Sequence, residues 1–156
     1  MSDPPTERIV GFLRGIGIRV EAAALGDDCF LPGIAVEDGG LLYDGARMTW
    51  PGDLLHEAAH IAVAPPEARP RMTGEVAVPG LDMDRLEKAA VPWSYAAARH
   101  IGIDPALVFH GGGYRGKSEG LLRTFAFGVY PGLNLLVDAG MTTTELYPRM
   151  LRWLRE

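Results

Sequence analysis

Apolar positions recur at helical spacing near the start of the chain. Ile9, Val10 and Leu13 fall on one face of a helix over residues 6–14, and Thr6 is placed to act as its N-cap. The pattern predicts a short amphipathic helix that buries this stripe against the rest of the fold.

Two apolar runs further along predict extended structure. The segment GIGIRVEAAAL, residues 15–25, is the first predicted strand. The segment LPGIAVEDGGLLYDG then has apolar residues on both sides of Asp38-Gly39-Gly40, where glycine supplies the positive φ of a tight turn. We therefore expect a strand followed by a β-hairpin.

The segment WPGDLLHEAAHIAV is apolar nearly all round, which is typical of a buried helix. Thr49 is positioned to cap it, and Pro51 is tolerated in a first turn. The Pro65–Pro66 pair prevents the helix from continuing. These features predict a helix from about Trp50 to Val63.

The second half of the chain is also mainly helical in period. A helix is predicted from Asp82 onward, although Pro92 leaves the Lys88 carbonyl without its partner and should kink or split the helix. Residues 105–155 predict short helices joined by Gly-rich turns. The expected class is α+β, a single helix-rich domain over residues 1–156, with a small sheet or hairpin beside the helix that carries the histidines.

Composition narrows the classes of partner. The chain has 156 residues, is 47% hydrophobic and carries a net charge of −5. It contains no basic run that could line a phosphate backbone and no apolar stretch long enough for a bilayer, so neither nucleic acid nor membrane is an expected partner. Cys29 is the only cysteine, which fits a reducing compartment, and a cytoplasmic location is expected.

The segment His56-Glu57-Ala58-Ala59-His60 places two imidazoles and a carboxylate in little more than one helical turn. Residues four apart lie one above the other, so both histidine rings face the same point, as a pair of metal ligands would. Glu57 is then placed to hydrogen-bond a water held by the same metal and to accept its proton.

Burial makes three polar side chains on one helix costly. An uncompensated buried polar side chain costs about 1 to 3 kcal/mol, and an unpaired charge costs more. A bound cation would compensate all three together. The alternative is that each is satisfied separately, by core hydrogen bonds and an arginine, and that the spacing is accidental.

In this setting the HEAAH segment resembles the zincin metallopeptidases, whose metal-binding helix carries the HExxH motif. The resemblance implies that His56 and His60 bind zinc, that Glu57 is the catalytic base, and that a neighbouring edge strand binds extended peptide. The metzincin subgroup continues the motif as HExxHxxGxxH, but Val63 and Pro66 stand where that pattern has its glycine and third histidine. That subgroup is therefore excluded.

A catalytic zinc site has three protein ligands and an open position. Glu87 is the predicted third ligand, because it lies on the next predicted helix beside a face of small residues that allows close approach. The resemblance to the gluzincin subgroup, in which a Glu on a downstream helix is the third ligand, also implies Glu87. Asp82 and Asp84 are alternatives, although capping and the helix dipole also explain them. Glu87 could instead pair at the surface with Arg85 or Lys88.

Two further segments carry histidine with an aromatic residue. In VFHGGGYRG, His110 and Tyr114 are predicted to donate hydrogen bonds to the oxyanion formed during peptide hydrolysis, with ordinary loop packing as the alternative. His100 and Trp93 fit an apolar helical stripe and are predicted to be packing residues. The glycines match neither a P-loop nor GxGxxG, which argues against a nucleotide site.

The predicted function is hydrolysis of peptide bonds with one zinc ion, Zn²⁺, and a peptide or protein substrate. The alternative is a non-catalytic metal-binding module with a zincin-like fold, serving regulation or protein interaction. A chain of this length leaves little room for the second lobe that usually walls a substrate cleft, which favours the alternative. The sequence does not determine the oligomeric state.

Overall fold

The computed structural model describes residues 4–74, 78–112 and 116–156. Within these ranges the predicted α+β class with a predominance of helix is confirmed. The helices are α1 (Pro5–Ile16), α2 (Asp53–Val63), α3 (Met83–Ile101), α4 (Ser118–Ala126) and α5 (Leu133–Asp138), and the strands are β1 (Val20–Ala22), β2 (Ile34–Glu37) and β3 (Gly40–Tyr43). None of the helices in the described part of the chain combines the length and apolarity that a bilayer span requires.

The first helix starts before its predicted cap. α1 begins at Pro5, so the prediction of Thr6 as the N-cap is wrong. Proline suits a first turn because the amide it lacks would have no partner there. The predicted apolar face is confirmed, since Ile9, Val10 and Leu13 are all buried.

α2 begins at Asp53 rather than at Trp50, and Thr49 does not cap it. Gly52 takes the N-cap position instead. A Cβ atom at Gly52 would overlap the carbonyl group of Leu107, so a segment distant in sequence covers the start of this helix. That close approach requires glycine, and no local pattern indicates it.

β2 and β3 form the predicted antiparallel hairpin, with Ile34 opposite Tyr43. Asp38 and Gly39 at its turn have φ angles of 48° and 77°, and both are positive, as a type I′ turn requires. The strand predicted over residues 15–25 is limited to β1, which pairs in parallel with β3. The strand order is β1-β3-β2, so β2 lies at an edge of the sheet.

α3 runs unbroken through Pro92, so of the two predicted effects of this proline, a kink or a split, the split is wrong. Proline leaves the Lys88 carbonyl without its helical partner. Gly132 lies against that carbonyl so closely that a Cβ atom would overlap it. The Pro92 carbonyl accepts a hydrogen bond from the Tyr147 hydroxyl at 2.7 Å. Tertiary contacts thus surround the part of the helix that proline weakens.

α2 occupies the middle of the fold. It packs most extensively against α3 and also contacts α1, β2 and β3. At its C-terminal end, Arg69 Nε donates to the Ile61 carbonyl at 3.0 Å, and the Arg155 amide donates to the Ala62 carbonyl at 2.9 Å. Positive charge is favourable at a helix C-terminus. These contacts hold the helix that carries the two histidines in place.

Candidate metal centre

Most of α2 is buried, as predicted for an apolar core helix. Its buried residues are Asp53, Leu54, Leu55, Ala58, Ala59, Ile61, Ala62 and Val63. The remaining three are His56, Glu57 and His60, whose side chains are 16%, 18% and 18% exposed. The polar motif is therefore the stripe through which this helix reaches solvent.

The two imidazoles converge, as their spacing predicts. Their ring centroids are 4.7 Å apart, and the ring planes meet at 72°. One ligand atom from each of His56, Glu57 and His60 lies within 4.8 Å of the other two. This group could hold a metal ion, and within the described ranges it is the one cluster of histidines and acidic residues with that geometry.

Glu87 reaches from α3 to both histidines. Its Oε1 atom lies 3.3 Å from Nε2 of His56, and its Oε2 atom lies 2.6 Å from Nε2 of His60. Zinc bonds of about 2.0 to 2.1 Å in a tetrahedron place ligand atoms about 3.3 Å apart. The contact of Oε1 with His56 has this length, whereas the contact of Oε2 with His60 is shorter. Two imidazole nitrogens and a carboxylate oxygen are a donor set that could hold a metal ion such as zinc.

The two carboxylates determine the protonation of His60. Burial lowers the pKa of His60, but the neighbouring carboxylates of Glu57 and Glu87 outweigh burial and raise the pKa to about 9. Hydrogen bonds from His56 and His60 hold the pKa of Glu87 well below its usual range. At neutral pH the metal-free centre thus contains a protonated His60 beside an ionised Glu87.

Zinc binding at neutral pH is expected to release about one proton, because the metal must displace the proton from His60. The number released should fall towards zero as pH rises through about 9, where His60 loses its proton without metal. Titration calorimetry in buffers with different ionisation enthalpies measures this release. A binding heat at neutral pH that is the same in every buffer would contradict it.

The pH dependence of the stability of the metal-free protein gives a second measurement of the raised pKa of His60. The folded-state pKa of about 9 lies above the ordinary value of 6.5, so the proton on His60 stabilises the fold fully below pH 6.5. That stabilisation is lost as pH rises through about 9. His60→Gln, which cannot bind a proton, is the matched control for this part of the pH profile.

Glu57 lies beside the other nitrogen of His60. Its Oε2 atom is 3.8 Å from Nδ1 of that ring, which is longer than a hydrogen bond. Glu57 also borders a cavity of about 30 Å³ that His60 and Val36 of β2 line as well. A cavity of this size admits a water molecule, so the carboxylate is placed to hydrogen-bond water next to His60.

His110 lies at the N-terminal end of α2. Its Nε2 atom donates to Asp53 Oδ1 at 2.6 Å, its Nδ1 atom accepts from the Gly112 amide at 3.1 Å, and its ring stacks on Trp50. Burial raises the pKa of Asp53, and the hydrogen bond from His110 opposes that rise. Both ring nitrogens are engaged, so the predicted role as an oxyanion donor requires the bond to Asp53 to open.

Sequence reasoning missed the Asp53–His110 pair. The two residues are 57 positions apart, and Asp53 alone looks like any acidic residue in the first turn of a helix. Tyr114, the other predicted oxyanion donor, lies outside the described residues.

The alternative ligands occupy other positions. Asp82 caps α3 by accepting a hydrogen bond from the Arg85 amide at 3.1 Å, and Asp84 is exposed in the first turn of that helix. Trp93 is fully buried, and its indole donates to the Trp153 carbonyl at 2.9 Å. His100 packs against the same Trp153 ring. These four residues therefore have capping, surface or packing positions.

Comparison of the chain with protein-family models, with curated proteins and with solved structures finds no match in any of the three. The function must therefore be inferred from the chemistry of the side chains that the fold brings together.

Proposed function

We propose that this chain is a zinc-dependent metallopeptidase of the gluzincin type. His56, His60 and Glu87 hold one zinc ion, and Glu57 is the general base. The substrate is a peptide or an unfolded protein segment, and the cytoplasm is the proposed location because the single cysteine leaves no internal disulfide to maintain.

One observation carries the proposal. Glu87, on a different helix, places a carboxylate oxygen against Nε2 of each histidine, while Glu57 lies outside that contact and beside a water-sized cavity. Two imidazoles, a third ligand and a separate carboxylate are the parts that a hydrolytic zinc site requires.

A bound zinc ion would supply Lewis acidity, which lowers the pKa of water and polarises the carbonyl group to be cleaved. Glu57 accepts the proton of the attacking water and delivers it to the leaving amine. Glu87 would neutralise part of the positive charge of the bound metal ion, and it holds the two imidazoles in their convergent orientation. Tyr114 and His110 remain the proposed donors to the oxyanion, with His110 released from Asp53 when substrate binds.

A peptide substrate is consistent with the surroundings of the site. The cavity beside Glu57 and His60 is lined by apolar side chains, among them Val36, Met72 and Met83. β2 lies at the edge of the sheet, where an extended chain can add by backbone hydrogen bonds.

A specific observation favours a second candidate function. The cavity of about 30 Å³ is too small for a peptide side chain in this conformation. A non-catalytic metal-binding module would not need room for a substrate. In such a module, Glu57 would orient His60 through Nδ1, the usual partner arrangement of a metal-bound histidine.

The test uses protein purified without a histidine tag. We expect about one zinc per chain by elemental analysis and cleavage of unfolded proteins that a chelator abolishes and added zinc restores. Protein with full zinc content that cleaves no member of a broad peptide library would establish the non-catalytic module instead. Protein without zinc, even after incubation with the metal, would refute both.

A further inference from the structure

Residues Met72–Gly74, which we name the strap, follow the outer edge of β2. The Gly39 amide donates to the Met72 carbonyl at 2.9 Å, and the Gly74 amide donates to the Val36 carbonyl at 2.9 Å. Residue numbers rise along the strap as they fall along the hairpin, so the strap runs antiparallel to β2. The Gly74 amide thereby occupies the Val36 carbonyl, an edge group of β2 that an added strand would use.

Side chains reinforce this pairing. Thr73 Oγ1 accepts a hydrogen bond from the Asp38 amide at 2.9 Å and donates one to Asp38 Oδ1 at 3.3 Å. Both residues are exposed, so these bonds are open to water and to competing partners. The strap is thus attached by a few hydrogen bonds at the surface and by the buried side chain of Met72.

The strap also borders the candidate catalytic site. Met72 and Gly74 line the same cavity as Glu57 and His60, with Val36 of β2 completing that wall. An extended peptide that lies between β2 and α2 would therefore occupy the position of the strap. The two cannot both bind the Val36 carbonyl of β2 at once.

We propose that the strap is an autoinhibitory segment, a built-in competitor that must leave the edge of β2 before an extended peptide can enter the site. The proposal depends on the proposed function, because it concerns access to that centre. It explains why the cavity is small although the site carries the parts of a peptidase. Substrates are then chain segments able to form the strand pairing that the strap gives up.

A reversible covalent lock tests the proposal. Asp38→Cys and Thr73→Cys, made in a Cys29→Ser background, place a disulfide across the contact between the strap and the hairpin. The zinc-loaded protein is compared in its oxidised and reduced states. Binding of dye-labelled β-casein, an unfolded protein with many extended segments, is measured by fluorescence anisotropy, and its cleavage is measured separately.

The oxidised protein is expected to bind casein about tenfold more weakly or worse than the reduced protein, because the binding-competent state is removed. Zinc content should be the same in both states. Equal binding in the two states, or no binding in either, would overturn the proposal. Binding that responds to the lock without any cleavage would support the strap and refute the peptidase function.

A second variant covers failure of the disulfide to form. Thr73→Ala removes the side-chain bonds to Asp38 and should tighten casein binding by about threefold to tenfold. Thr124→Ala is the matched control, since it deletes a hydroxyl bonded within α4. Unchanged or weaker binding in Thr73→Ala would argue against a competitive strap.

Discussion

Glu57→Gln is expected to lower peptide hydrolysis by about 10² to 10⁴ while zinc content stays near that of the wild type. Gln keeps the size and much of the hydrogen bonding of Glu, but it cannot accept a proton from the attacking water. The rate constant kcat/KM and the zinc content are measured on the same preparation. The change therefore separates catalysis from metal binding.

Glu145→Gln is the matched control, because it makes the same chemical change at an exposed position. Equal activity in wild type and Glu57→Gln would place the chemistry elsewhere or in a contaminant. Loss of zinc in Glu57→Gln would show that Glu57 is a ligand, which its position within 4.8 Å of the two histidine nitrogens would allow.

Replacing His56, His60 or Glu87 with Ala is expected to weaken zinc binding by about 100-fold or more. This loss is larger than the one caused by removing a residue that only hydrogen-bonds a metal ligand. Each change removes one of three protein ligands. Competition with a chelating dye at neutral pH measures the affinity, and circular dichroism checks that the helices remain. Zinc that still binds stoichiometrically to both histidine variants would place the metal site elsewhere.

Asp84→Ala is the control for Glu87→Ala, since it removes a carboxylate from the same helix at an exposed position. It should leave zinc affinity unchanged. The opposite result, with affinity lost in Asp84→Ala and retained in Glu87→Ala, would require the third ligand to be reassigned.

The error at the start of α2 has a tertiary cause, whereas α1 starts at an exposed proline pair. Thr6 and Thr49 have the chemistry of N-caps, yet the caps are Pro4 and Gly52. Gly52 is selected by the close approach of the Leu107 carbonyl, a tertiary contact. Capping propensities describe an isolated helix, and packing overrides them where a helix end is covered.

The unbroken α3 has a similar explanation. Pro92 removes one hydrogen bond, which predicts a break when the helix is considered alone. In the fold, the carbonyl groups of Lys88 and Pro92 meet Gly132 and Tyr147. Residues 40 or more positions away thus decide whether the helix continues, and the local pattern contains no trace of them.

The sequence by itself determined what depends on short-range geometry. The convergence of His56 and His60 follows from the helical period, and the hairpin turn follows from the positive φ angles that Asp38 and Gly39 accept. These features need only a few consecutive residues. They identify a candidate metal-binding motif and the neighbouring hairpin before any tertiary contact is known.

Tertiary structure decided how closely other groups approach that motif. The approach of Glu87, the Asp53–His110 pair and the strap on β2 each join segments far apart in the chain. Their distances depend on how α2 packs against α3 and against the sheet, which is a sum of many small contacts rather than a property of any one residue type. The pairing of the two histidines is therefore local, whereas the approach of Glu87 and access to the site are set by packing.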